Sequence, residues 1–213
     1  MKTLTKELQA SITPFMALDL LKEGNKRFLN NLKVNRNLLQ QVNETTEGQH
    51  PFAIILSCID SRTSVELIFD QGLGDVLSVR IAGNIINEDI LGSMEFGCKI
   101  LGAKIIVVLG HSTCGAIKGA CDHLEMGNLT ALLSKILPAV YAETSVTKNR
   151  NSNNEAFVEK VAALNVRKTV HAIIERSPIL NEMILKGEIE IIGGIHDIAS
   201  GEVFFYDDTP IVG

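Results

Sequence analysis

The chain has 213 residues, of which 46% are hydrophobic, and its formal net charge is -5. Such a chain is long and apolar enough to bury a core as one domain with an extended arm, which excludes disorder of the whole chain. The acidic balance, without Lys and Arg runs interleaved with aromatic residues, argues against nucleic acid as a partner.

Residues 1–45 are predicted to form a helical arm. Residues 1–8 lack the uninterrupted apolar stretch of a signal peptide, and no later segment approaches the roughly 18 apolar residues of a membrane span. A cytoplasmic protein without membrane contact is therefore expected. Thr13 and Pro14 mark a helix start, and apolar residues recur at helical spacing from Phe15 to Leu32. This stripe can pack on the body of the same chain or on a second subunit.

Residues 46–213 are predicted to form an α/β domain, because short apolar runs alternate with segments of helical periodicity. The expected sheet is mostly parallel, with four strands, a possible edge strand and helices on both faces. The predicted strands are 52–56, 76–81, 105–109 and 189–195, with 203–206 at the edge. The predicted helices are 64–70, 88–101, 116–137 and 158–175, and a further short helix follows a break at 177–178. A polar surface loop is expected at 143–155.

Two motifs follow predicted strands and supply metal ligands. Cys58-x-Asp60-x-Arg62 follows the first strand, and His111-x-x-Cys114 follows the third. Two thiolates and one imidazole suit Zn²⁺, and a fourth tetrahedral position left for water or substrate is typical of a catalytic zinc. If the two strands are neighbours where the strand order of the sheet reverses, the three ligands converge at its carboxyl edge.

Each motif has a simpler structural interpretation. Buried cysteines also pack as small apolar side chains, which is the preferred interpretation for Cys98 and Cys121. Asp60 and Arg62 can be an ion pair that closes a turn. For Cys58, His111 and Cys114 the spacing favours a metal site.

The ligand set predicts a reaction. Zn²⁺ lowers the pKa of bound water to about 7 and generates a hydroxide nucleophile, although two thiolates make that water less acidic than imidazoles would. Activity should therefore rise toward alkaline pH. Asp60 either coordinates the metal, which closes the site, or is held by the guanidinium fork of Arg62, which leaves the site open for zinc hydroxide to attack a small, uncharged electrophile.

Four segments together make the chain resemble a β-class carbonic anhydrase over most of its length. They are CIDSR at 58–62, HSTCG at 111–115, EGNKRF at 23–28 and RIAGN at 80–84. The resemblance implies that Cys58, His111 and Cys114 bind zinc and that Asp60 and Arg62 form the catalytic dyad. It also implies that the arm packs on a second subunit of a homodimer or homotetramer, so that removing residues 1–45 would give monomers or insoluble protein.

The resemblance also suggests substrate contacts. Gln49 matches a glutamine that orients substrate in one subgroup, and the chain lacks tryptophan, which marks a second subgroup. The chain therefore resembles the glutamine-containing, type I-like subgroup, although an ordinary surface loop residue is an alternative interpretation of Gln49. Leu77, Ala82 and Phe96 are expected to line an apolar CO₂ pocket, with Leu77 and Phe96 where plant members have phenylalanine and tyrosine. Gly115 offers a backbone N–H to bicarbonate.

The expected function is reversible hydration of CO₂ to bicarbonate and a proton by a zinc lyase. Two alternatives stay open at this point. The same scaffold can hydrolyse carbonyl sulfide or carbon disulfide, which are also linear electrophiles. A bicarbonate or zinc sensor without enzymatic activity is possible if Asp60 stays on the metal.

Overall fold

The computed structural model describes residues 3–208, and its centre is one five-stranded sheet. The strands are Ala53–Ser57 (β1), Val76–Arg80 (β2), Ile105–His111 (β3), Glu190–His196 (β4) and Val203–Phe205 (β5). They lie in the order β2-β1-β3-β4-β5, with β1 to β4 parallel and β5 antiparallel to β4. The predicted α/β class is confirmed, including the edge strand.

Ten α-helices accompany the sheet within residues 3–208. They are Lys6–Ser11 (α1), Pro14–Leu29 (α2), Leu38–Glu44 (α3), Val65–Ile68 (α4), Glu88–Glu95 (α5), Gly115–Cys121 (α6), Gly127–Leu133 (α7), Leu137–Ala142 (α8), Glu155–Arg176 (α9) and Pro178–Leu185 (α10). A 3₁₀ turn at Ala82–Asn84 follows β2, and a π-helical turn at Phe96–Ile100 follows α5. Among the described helices, none combines the length and the apolar character that crossing a bilayer requires.

Helix boundaries follow the capping residues of the sequence in most places. Thr13 caps α2 by accepting a hydrogen bond from the Met16 N–H, with Pro14 in the first turn as predicted. The predicted helix over 116–137 is wrong, because the structure divides that segment into α6, α7 and the start of α8. Left-handed backbone at His123 and Gly127 ends one helix and begins the next, although apolar residues continue at helical spacing.

The core lies on both faces of the sheet because alternate residues of each strand point to opposite sides. On one face, Ile54 and Val108 pack with the apolar sides of α9 and α10. On the other face, Ile55 and Val107 pack with α2 and α4. Every residue of β1 and β3 is buried, as a parallel sheet covered on both faces requires.

The arm contacts the body of its own chain and also presents an apolar surface. Leu18 and Leu21 of α2 are buried in the core. Asp70, next to α4, accepts hydrogen bonds from Arg27 and Arg36 of the arm. Several large apolar side chains of the arm remain exposed in the single chain: Phe15, Met16, Leu20, Leu29, Leu32, Leu38, Leu39 and Val42. The predicted contact of the arm with a second subunit stays a prediction.

Candidate metal centre

The two sequence motifs meet at the carboxyl edge of the sheet, where the strand order reverses. From β1 the chain moves outward to β2 and then returns to β3 on the other side of β1, so β1 and β3 are parallel neighbours with Ser57 opposite Leu109. Cys58 comes directly after β1, and His111 is the last residue of β3. Cys114 precedes α6, which begins at Gly115. This is the position in open α/β sheets where ligands bind.

Cys58, His111 and Cys114 have the geometry of a metal site. All three are buried, and their ligand atoms lie within 4.8 Å of one another. The two Sγ atoms are 3.9 Å apart. Two sulfurs bound tetrahedrally to one zinc at 2.3 Å are about 3.8 Å apart, so the pair fits a shared ion. Within residues 3–208, no other group of three or more His, Cys, Asp or Glu residues has its potential ligand atoms this close together.

The ring orientation of His111 also suits a metal ligand. Its Nδ1 lies 3.0 Å from the carbonyl oxygen of Ser112, which accepts hydrogen bonds only. Nδ1 therefore carries the proton, and Nε2 is left with a lone pair. Nε2 is buried and has no hydrogen-bond partner among the described residues. A buried acceptor without a partner is costly, and a bound metal would satisfy it.

The surroundings of the two thiols favour sulfur ligation. The neighbouring Cys114 thiol, the His111 side chain and the backbone N–H groups of Gly83 and Asp60 lower the pKa of Cys58. The hydrogen bond with Cys58, burial and the charge of the Cys58 thiolate raise the pKa of Cys114. A divalent cation bound between the two sulfurs would offset that repulsion and favour the thiolate form of both. Burial alone raises the pKa of Cys98 to about 12, which agrees with its predicted core position.

Asp60 and Arg62 form a bidentate ion pair beside the ligands. Arg62 Nε donates to Asp60 Oδ1 at 2.9 Å, and Nη2 donates to Oδ2 at 2.8 Å. The Arg62 backbone N–H also donates to Oδ1 at 3.0 Å. These bonds hold the pKa of the Asp60 carboxyl well below its usual range. Asp60 is thus an ionised carboxylate, and Arg62 donates a hydrogen bond to each of its two oxygens.

Arg80 is a supporting residue to which the sequence motifs assigned no role. Its Nε donates to the Cys58 carbonyl at 3.0 Å, and its Nη2 donates to the Asp60 carbonyl at 2.6 Å. Thr63 donates to the same two carbonyls through Oγ1. The loop that carries a ligand and the dyad is therefore held from two sides. The RIAGN segment begins with Arg80, so the signal was present in the sequence without an assigned function.

The predicted substrate contacts divide between two cavities of the single chain. Ala82 and Gly115 line a cavity of about 280 Å³ together with Cys58, Asp60 and several aliphatic side chains. Gln49, Leu77 and Phe96 line a different cavity of about 870 Å³, which borders β2 and α5. Within one protomer, two of the five predicted contacts thus share a cavity with Cys58, and the other three share a second cavity whose wall includes Arg80.

Comparisons with known proteins match this chain to one family. The family described as carbonic anhydrase matches residues 53–203. Carbonic anhydrase 2 of Mycobacterium tuberculosis is 33% identical over 203 residues, covering 94% of this chain and 96% of that protein. A carbonic anhydrase of Mycolicibacterium smegmatis is 31% identical, with 89% of this chain and 92% of that protein covered.

Solved structures extend the similarity to three dimensions. The β-carbonic anhydrase CcaA superposes with a TM-score of 0.70 at 27% identity, covering 89% of this chain and 95% of that chain. One of two tetrameric β-carbonic anhydrases from Sordaria macrospora gives a TM-score of 0.69 at 26% identity, with 76% of this chain and 83% of that chain covered.

Proposed function

Because the chain belongs to the β-class carbonic anhydrases, we propose that it catalyses the reversible hydration of CO₂ with a zinc ion held by Cys58, His111 and Cys114. The observation that carries this proposal is the ligand triad beside a small, largely apolar cavity. A bound Zn²⁺ would supply a water ligand of lowered pKa as the source of the nucleophile. Three protein ligands leave the fourth position for that water.

The cavity suits a small uncharged substrate. Its volume of about 280 Å³ is below the range of pockets for drug-sized ligands, and Leu124, Leu129 and Leu133 contribute to its wall. An apolar wall of this kind suits CO₂, which carries no charge. The backbone of Gly115 at the start of α6 is offered as the donor to a product oxygen.

Asp60 is proposed to act as the acceptor that orients the attacking water. Arg62 binds both carboxylate oxygens, which supports an Asp60 that is turned away from the metal position and leaves the site open. The same pair disfavours a sensor in which Asp60 occupies the fourth coordination position. Gating by this dyad is part of the proposal.

We further propose that the protein is a homo-oligomer. The large apolar side chains exposed on the arm, together with Phe96 at 53% exposure, are residues that an interface between subunits would bury. The tetrameric Sordaria relatives support the same assembly for this chain. The cytoplasmic location and the type I-like subgroup stay predictions, and cell fractionation would test the first.

Stopped-flow CO₂ hydration between pH 6.5 and 9, with zinc measured on the same sample, tests the proposed reaction. We expect about one zinc per chain and a rate that rises toward alkaline pH. Turnover of carbonyl sulfide and carbon disulfide, measured side by side, separates the three linear substrates. A zinc-free protein, or a zinc-loaded protein without CO₂ hydration, would overturn the proposal.

A further inference from the structure

A buried asparagine of α9 reaches the backbone beside the candidate metal centre. Asn165 is 3% exposed, and its Nδ2 donates to the carbonyl oxygen of Gly83 at 2.8 Å. Its neighbours on the buried face of the helix include Val161, Val166 and Val170. Asparagine is a poor helix former, and burying its amide is costly without hydrogen-bond partners, so helix stability does not explain an asparagine at this position. The hydrogen bond to Gly83 explains it.

Gly83 connects Asn165 to a metal ligand. Its backbone N–H donates to the Sγ of Cys58 at 3.4 Å, while its carbonyl accepts from Asn165. The residue has a φ of 70°, and an added Cβ would lie 2.6 Å from Cδ1 of Ile136. The tight turn at Ala82–Asn84 is therefore held by a glycine whose two polar groups face a thiolate on one side and α9 on the other.

The backbone donors of the two sulfurs differ in origin. Cys114 has local donors in the N–H groups of Ala116 and Ile117 in the first turn of α6, and Cys58 has one local donor in the N–H group of Asp60. The Gly83 donor to Cys58 comes from a turn 25 residues away in sequence. A local donor is fixed by its own helix, but a remote donor needs support from the surrounding structure. Asn165 provides that support.

A hydrogen bond to a metal-bound thiolate changes the metal. An N–H donor withdraws charge from sulfur, so the sulfur donates less to the cation and the cation remains a stronger Lewis acid. With two thiolates in the ligand set, this control of charge matters more than in a site built from imidazoles.

We propose that Asn165 is a positioning residue of the metal centre, which holds the Gly83 carbonyl and thereby keeps the Gly83 N–H on the Cys58 sulfur. This inference rests on the proposed function only in requiring that Cys58 binds a metal. It assigns to Asn165 a part in setting metal affinity and thiolate charge.

Cobalt substitution tests the inference with a readout other than catalysis. In the Co²⁺-loaded protein, Asn165→Leu should move the sulfur-to-cobalt charge-transfer band to lower energy, because Cys58 loses part of its hydrogen bonding. Zinc affinity, measured by competition with a chromophoric chelator, should fall about tenfold, the lower end for changes around metal ligands, because the unsupported turn no longer holds Cys58 in its binding position. Asn165→His, whose Nδ1–H can reach toward the same carbonyl, should restore much of both signals.

Thr169→Val is the matched control. Thr169 lies one turn further along α9, is 6% exposed and lines the same surface cleft as Asn165. Its variant should leave the band and the affinity unchanged. Asn165→Ser, whose hydroxyl is too short to reach Gly83, replaces the leucine variant if that variant does not fold.

The outcomes are distinguishable. A wild-type protein that shows no cysteine-to-cobalt band overturns the proposed metal centre. The second outcome is a wild-type protein with a normal band and Asn165 variants that lower only the melting temperature. If the band and the zinc affinity of those variants match wild type, the positioning role alone is overturned.

Discussion

At the level of single residues, the dyad next to the metal ligands has the most direct consequence for catalysis. Asp60→Asn and Arg62→Ala should each retain zinc, because neither side chain is among the three ligands, and should lose CO₂ hydration by about 100-fold, the lower range for a positioned proton acceptor. Stopped-flow rates with zinc analysis on each variant provide the measurement. Ser61→Ala, in the same turn, is the control that should remain active. Full activity in either dyad variant would remove the pair from the mechanism.

The pH dependence of the same pair follows from the lowered pKa of Asp60. The pKa of an unperturbed aspartate is about 3.9. The ion pair with Arg62 therefore contributes fully to the free energy of unfolding above about pH 3.9, and this contribution is lost as the pH falls through the lowered pKa of Asp60. Titration of Asp60 therefore should not contribute to the activity profile between pH 6.5 and 9. In Arg62→Ala the carboxyl pKa should rise toward 3.9, which ¹³C NMR of labelled aspartate in acid would detect. An unchanged pKa would contradict the role of Arg62.

The residues of the site differ in how far the sequence reveals them. Cys58, His111 and Cys114 could be predicted because soft ligands at short spacing follow buried strands, and their convergence in the structure agrees with that. Asn165 could not be predicted, because it lies 82 positions from Gly83 and its helix offers no motif. Arg80 is intermediate, since it belongs to a quoted motif but acts through carbonyl oxygens that leave no trace in sequence.

At the level of elements, the attachment of α2 to the body depends on a close approach at Gly24. A Cβ built on Gly24 would lie 1.8 Å from the carbonyl oxygen of Phe69, and a backbone atom cannot move aside as a side-chain end can. Gly24→Ala should therefore reduce the free energy of unfolding by about 3 kcal/mol, the upper range for overpacking. Chemical denaturation measures the change.

At Gly92, in contrast to Gly24, an added methyl group has free space. No atom lies within 4 Å of a Cβ built on Gly92 in α5, and its backbone has no positive φ. Replacing glycine by alanine there should stabilise the protein by about 0.5 to 1 kcal/mol, because the helix loses less entropy on folding. Equal effects of the two substitutions would mean that the contact between Gly24 and Phe69 does not determine how the arm is seated.

The pattern of apolar residues in the sequence predicts some strands and helices correctly and others not. Strands β1 and β3 were predictable since continuous apolar runs of that length are buried on both faces. The segment 116–137 was not, because its apolar spacing persists through residues that leave helical geometry at His123. Left-handed backbone at a non-glycine residue depends on tertiary packing, which a periodicity argument does not include.

At the level of the whole molecule, the division of the predicted substrate contacts implies a role for assembly. Gln49, Leu77 and Phe96 line a cavity apart from the one beside Cys58. One arrangement that would let these residues contact substrate is their supply by a neighbouring copy. Gln49 would then serve the metal centre of its partner, and the exposed position of Phe96 would lie at the interface.

Mixed oligomers separate the two arrangements. One subunit carries Cys58→Ser and keeps Gln49, the other carries Gln49→Ala and keeps the ligands, and two affinity tags isolate the mixed species. Gln49→Ala alone should reduce CO₂ hydration about fivefold to tenfold, as expected for the loss of one hydrogen bond. In a mixed dimer, transfer of Gln49 across the interface completes one of two sites, so activity near half that of the wild-type dimer is expected.

A mixed dimer of Cys58→Ser with the wild-type chain supplies the reference, because it reports any effect of a metal-free neighbour on an intact site. If Gln49 acts across the interface, the wild-type subunit in this reference also receives its glutamine from the Cys58→Ser partner, and the two mixed dimers should be equally active. If Gln49 acts within its own protomer, the dimer that contains Gln49→Ala stays at the lower rate while the reference does not. The comparison therefore decides whether the site is complete in one chain or is formed by two.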